Sequence, residues 1–169
     1  METILLIFVM SLGAAFVQRV SGFGFGIFIM TVLPFVLPSY GEATALSGML
    51  ALVTSLFITL RLRRFIPWRR LLPILLVQFG LGTLSGLMGG FFGMQGPPAV
   101  LYFIATTRSK EEYMAMAQCY FLVGNVFMTL FRAHAGFLTP AVFHCWIYGI
   151  LGVALGAWTG AFVYRRIPL

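Results

Sequence analysis

The sequence predicts an all-α membrane protein: a polytopic helical bundle with two internal repeats, each containing a broken, glycine-rich helix. Three observations carry that expectation. The 169 residues are 60% hydrophobic and only 9% charged, far from the roughly 25% charge of soluble domains. The apolar residues fall in long continuous runs separated by short polar punctuation. Two of those runs are too long for one crossing, and both are interrupted by clustered glycines.

The first run extends from about residue 4 to 37. The start, METILLIFVM, has no basic stretch ahead of its apolar residues, which a cleaved leader would carry, so the run is expected to stay attached as the first span. Runs at about 43 to 60, 113 to 131 and 141 to 164 suit one crossing each, because a hydrocarbon core of about 30 Å takes about 20 helical residues. The first run and the third, at about 71 to 106, would exceed about 50 Å as straight helices. Each is expected to break. In the first, SGFGFGIF at 21 to 28 sets Ser21, Gly22, Gly24 and Gly26 near the middle, and each interior glycine weakens a helix by about 1 kcal/mol relative to alanine. In the third, GGFFGMQGPPAV at 89 to 100 supplies Gly89, Gly90, Gly93 and Gly96, followed by Pro97 and Pro98. Proline suits the first turn of a helix, where its missing donor is no loss, so a half-helix is expected from Pro97.

A shift of 70 residues places Gly26 on Gly96, Glu42 on Glu112 and Thr59 on Thr129, and a shift of 74 brings LGTLSG (81 to 86) onto LGAWTG (155 to 160). The chain therefore reads as one transmembrane domain, 1–169, of two diverged copies. Repeat 1 covers about 4–86 and repeat 2 about 71–166, overlapping in the third run. Gly82, Gly86 and Gly90, like Gly152, Gly156 and Gly160, recur every fourth residue; such a stripe lets neighbouring helices approach closely.

The net charge is +7. There is no aspartate; the acids are Glu2, Glu42, Glu111 and Glu112. A nucleic-acid binder would spread its basic residues over a solvated face with aromatics between them. Here Arg61, Arg63, Arg64, Arg69 and Arg70 share one short loop, so the charge reads as membrane topology with that loop cytoplasmic. The expected surroundings are a lipid bilayer, with no nucleic-acid partner. Five simple crossings would set Arg165 and Arg166 opposite that loop, a conflict that re-entry of one long run would remove. Arg132 and His134 read as a loop between the last two spans and His144 as a packing residue. Cys119 and Cys145 lack metal or disulfide spacing and read as inert; no cofactor or metal is indicated.

Broken backbone at membrane depth is tolerated where protein or a watery cavity satisfies it, and paired broken helices in corresponding positions of two repeats point to a transporter binding site. The amino ends of half-helices at about residues 26 and 97 would turn partial positive charge toward a small anion. Arg19, the only charge between Glu2 and Glu42, would add a full one, and no acid lies within any run to pair with it. Gln18, Ser21, Gln95, Gln118 and Asn125 could line the same cavity. Gln118 and Asn125, seven apart, share a helix face, where an interhelical hydrogen bond is an equal alternative for each.

VQRVSGFGFGIFIMTVLPFVLP and GLMGGFFGMQGPPAVLYF resemble the two signature segments of the sulfite exporter TauE/SafE family of bacterial membrane permeases. The resemblance covers most of an apparently shortened chain, with Gln95 standing where many members have glycine. It implies a multi-pass protein of the bacterial inner membrane that exports small anions such as sulfite, sulfoacetate or related organic anions. Carried over residue by residue, it marks Gly22, Gly24, Gly26, Gly93, Gly96 and Pro97 as substrate-binding positions. An active transporter of this length is expected to be a homodimer. The alternative is a shortened, non-transporting membrane subunit that packs against a partner through its glycine stripes. An enzyme is not expected, since there is neither an HExxH nor a G-x-S-x-G motif.

Overall fold

In the computed structural model, which describes residues 2–80 and 97–166, helix α1 (Glu2–Ser21) ends where glycine lets the backbone leave helical geometry. Gly22 and Gly24 adopt φ of 89° and 97°, a left-handed region that other residues enter only at a cost of about 1–2 kcal/mol. The chain then reverses through two short helices, α2 (Phe25–Met30) and α3 (Leu33–Val36). Val17 lies beside Gly24 and the Phe28 ring packs over Gly13, and Phe35 and Val36 share a groove with Leu5, Leu6 and Val9. The first run is thus a hairpin that returns to the end at which it began. Its break falls at Gly22–Gly24, and Gly26 lies inside α2 rather than in the break.

Helix α4 (Tyr40–Leu62) starts at a side-chain cap, Ser39 Oγ accepting the Glu42 amide at 3.1 Å. Helix α7 (Lys110–His134) starts the same way, Ser109 Oγ accepting the Glu112 amide at 3.1 Å. Each cap satisfies one of the orphan donors of a helix start. Between them lie a 3-10 turn (Arg63–Phe65), α5 (Trp68–Gly80) and α6 (Pro97–Thr106). Helix α8 (Pro140–Arg166) completes the bundle. Among the described residues four helices are long and apolar enough to cross a membrane: Glu2–Ser21, Tyr40–Phe65, Lys110–His134 and Pro140–Arg166. The expected fifth crossing, the third run, lies partly outside the described residues.

Close packing sets the helix directions. Gly152 meets the Phe8 and Leu12 backbone, Gly156 meets Leu12, and Gly160 meets Phe16 and Arg19, so α8 runs parallel to α1 with backbones nearly touching. Gln18 bonds Ser55, and Ser11 and Leu50 both abut Gly149, so α4 also runs with α1. Helix α7 is antiparallel to α4: Arg132 packs across Gly48, while Ile58 and Leu62 join Met114 and Ala115 in the core cluster at the other end. The remaining core cluster, built on Ile7, Ala14, Leu46 and Val142, joins α1, α4 and α8 toward the opposite end. Outward, Ile147, Leu151, Leu155, Trp158 and Phe162 of α8 are exposed, an apolar face suited to hydrocarbon.

These directions gather the cations. Of eleven lysines and arginines, only Arg132 lies at the end shared by the α1 start and the α7–α8 turn; the other ten sit toward the opposite end. Contacts that bind that end together include Arg70 Nη1 to Glu112 Oε1 at 3.2 Å and Lys110 Nζ to the Tyr164 carbonyl at 3.5 Å. Arg165 and Arg166 therefore share an end with the Arg61–Arg70 segment, because the third run begins and ends there, Arg70 Nη1 lying 3.5 Å from the Thr106 carbonyl, so that only α7 and α8 cross between the two segments. The expected loop at Arg132 and His134 is instead the last turn of α7. Arg132 is buried there, its guanidinium laid over the gap that Gly48 leaves.

Candidate functional site

The α1 break has its carbonyls occupied by side chains. Gln118 Nε2 donates to the Gly22 carbonyl at 2.7 Å, and the Tyr113 hydroxyl donates to the Ser21 carbonyl at 3.0 Å. Ser21 Oγ lies 2.8 Å from the Val17 carbonyl and 2.7 Å from that of Phe23. Gln18 Nε2 donates to Gln118 Oε1 at 2.7 Å and to Ser55 Oγ at 3.1 Å. A chain of amides thus ties α1, α4 and α7 to the unwound turn, as broken backbone in an apolar interior requires. Of the alternatives for Gln118, the interhelical bond is the one observed. Gly22 also has no room for a larger residue: a Cβ there would come within 2.7 Å of the Tyr113 ring.

The depth of this network follows from helix rise. Gln118 lies four residues from the midpoint of α7, and Ser55 four from that of α4, so the break sits about 6 Å from mid-helix at 1.5 Å per residue. It is displaced toward the cationic end. Asn125, one heptad beyond Gln118, is buried on the same helix.

Arg19 points elsewhere. One residue along from Gln18, it is rotated by about 100° around α1 and faces α8, its stem against Gly160 and its guanidinium carbon 4.6 Å from the centroid of the Tyr164 ring. It is only 4% exposed. Its Nε and Nη1 have no hydrogen-bond partner among the described residues. Tyr164 holds a second cation as well, Lys110 Nζ at 5.3 Å from the same centroid, and its hydroxyl donates to the Lys110 carbonyl at 2.6 Å. Arg61 and Arg165 stand near enough to Arg19 to repel it. The result is a buried guanidinium with unused donors, an aromatic face on one side and further positive charge toward the nearer end of the bundle. Chemically, such a group can hold an anion.

Of the residues expected at the site, the structure brings Gln18, Ser21, Gly22 and Gln118 together. It sets Arg19 on the neighbouring face of α1, and leaves Gly24 at the α2 cap and Gly26 within α2. That helix has only six residues, so its dipole is much weaker than a full half-helix would provide. Pro97 is the first residue of α6 as described. Gly93, Gln95 and Gly96 lie outside the described residues, and with them the second break. Tyr164, Tyr113 and Ser55 join the site without having been singled out in the sequence. Their signal was a hydroxyl where the surrounding runs are apolar, one that shows its meaning only once a partner helix is placed beside it. Among the described residues no three His, Cys, Asp or Glu side chains come together. No family model, curated protein or solved structure matches this sequence.

Proposed function

We propose that this chain is a membrane-embedded permease for a small anion, and that Arg19 is the group that binds it. The observation that carries the reading is the Arg19 guanidinium itself, nearly fully buried with two nitrogens lacking partners among the described residues. A buried cation without a carboxylate is costly unless something neutralises it, and a mobile anion would do so. The broken α1 beside it, with its carbonyls held by Gln118 and Tyr113, supplies the irregular backbone that transporter sites use. With ten cations at one end, the electrostatic potential would draw anions toward that mouth.

The two-repeat reading belongs to the same proposal. Serine caps at Ser39 and Ser109, each on a glutamate three residues on, are 70 residues apart, and Leu33 and Phe103, also 70 apart, are both fully buried. α1 starts at the end away from the cation cluster and α5 at the cationic end, the inverted arrangement common in carriers. Within it, Gly96 and Pro97 would form the second half of the site, and the substrate class is that implied by the TauE/SafE resemblance: sulfite, sulfoacetate or a related organic anion. A homodimer would enclose the pathway. The alternative of a non-transporting subunit loses one of its two docking stripes, because Gly152, Gly156 and Gly160 pack against α1 of the same chain.

Flux of sulfite and sulfoacetate in proteoliposomes tests the proposal. Arg19→Gln is expected to lower flux at least a hundredfold while the protein still inserts and keeps its helical content. Unchanged flux would remove Arg19 from the pathway, and no flux with the native chain for any of these anions would remove the permease reading.

A further inference from the structure

The segment between α4 and α5 has chemistry that the anion site does not use. Arg63, Arg64 and Arg69 are exposed, and no ion pair engages them among the described residues, where Arg70 alone is matched, by Glu112 at 3.2 Å. Between them stand two large rings, Phe65 at 48% and Trp68 at 55% exposure. The backbone that carries them is fixed, since Ile66 and Leu71 are buried in the core cluster at this end. Leu72, the next residue, is again exposed. The candidate span Tyr40–Phe65 ends here, so cations, rings and leucine follow one another at the depth where hydrocarbon gives way to headgroups.

We propose that Arg63, Arg64 and Arg69, with Phe65 and Trp68, form a binding site for the phosphate of an anionic phospholipid of the surrounding leaflet. The guanidinium forks match a phosphodiester, the amphipathic Trp68 ring favours the headgroup boundary, and the apolar Phe65 and Leu72 continue the face along which an acyl chain would lie. Acidic residues are far outnumbered on this end, so the charge favours an anionic over a zwitterionic headgroup. The inference rests on the chain lying in a bilayer and not on its moving an anion.

The full-length protein, extracted in mild detergent, should retain dioleoylphosphatidylglycerol over dioleoylphosphatidylcholine in native mass spectrometry. Each arginine near an anionic surface contributes a factor of about five. The variant Arg63→Gln/Arg64→Gln/Arg69→Gln is therefore expected to weaken phosphatidylglycerol retention about a hundredfold, with unchanged helical content by circular dichroism. The single variants, each expected to weaken it about fivefold, keep the test decisive should the triple variant not fold. Equal retention of both lipids would overturn the proposal, as would undiminished retention by the variants. So would an acidic protein that copurifies through these arginines while lipid binding stays unaltered. Arg19→Gln should leave lipid retention intact, which separates this site from the anion site and lets either fail alone.

Discussion

At the scale of the residue, Arg19 and Gln118 illustrate opposite solutions for a polar group in an apolar interior. Gln118 spends its amide fully, accepting from Gln18 and donating to the Gly22 carbonyl, whereas Arg19 keeps two unpartnered nitrogens among the described residues. Replacing Gln118 by Leu would strip the Gly22 carbonyl of its side-chain donor and leave Gln18 with Ser55 alone, at about 1–3 kcal/mol for the buried group left unpaired. Gln118→Leu is accordingly expected to lower the thermal unfolding midpoint markedly, whereas Arg19→Gln, which removes a buried charge with no carboxylate beside it among the described residues, should leave it unchanged or raised. Parallel melts of the two variants in detergent check this contrast. That Gln18, Arg19 and Gln118 would need particular surroundings was legible in the sequence, because amides and a cation are costly among apolar residues. Which of them was satisfied was not, since it depends on a residue a hundred positions away.

At the scale of the element, the tightest junction is α1 against α8. A Cβ at Gly156 would strike the Leu12 backbone, which cannot yield as a flexible side chain could. Gly156→Leu is expected to force the two helices apart and destabilise the protein by more than the about 1–3 kcal/mol of ordinary overpacking; unfolding in denaturing detergent measures it, with Leu155→Ala on the exposed face as a near-neutral control. The sequence announced this stripe through its spacing of four, but not its partner. Nor did it announce that α2 and α3 would be separate short helices folded back on α1. The glycines marked the break correctly to within a few residues, and Gly26 was misplaced because a glycine tolerates helix interiors when packing holds it there.

At the scale of the whole molecule, the hairpin of the first run sets the termini of the described bundle at opposite ends. α1 begins at the end of the α7–α8 turn, and α8 finishes at the cationic end with Arg165 and Arg166. With cationic ends cytoplasmic, an engineered cysteine in place of Ala135 should react with a membrane-impermeant maleimide in intact cells, and one in place of Arg108 only after permeabilisation. The native Cys119 and Cys145 are both buried and should give little background. Labelling of Arg108→Cys from outside would invert the orientation, and labelling of both from one side would contradict the fold.

Composition, run length and glycine clustering were enough to determine a helical chain built for an apolar medium, with an unwound point after Arg19, because hydrocarbon tolerates few polar groups and glycine few helices. Direction and neighbour were decided by tertiary structure alone. Whether a long run crosses or doubles back, and whether a buried polar group meets a partner, depends on contacts between segments distant in sequence. So does the meeting of Arg108, Lys110, Arg165 and Arg166 with the Arg61–Arg70 cluster at one end, which no local pattern encodes.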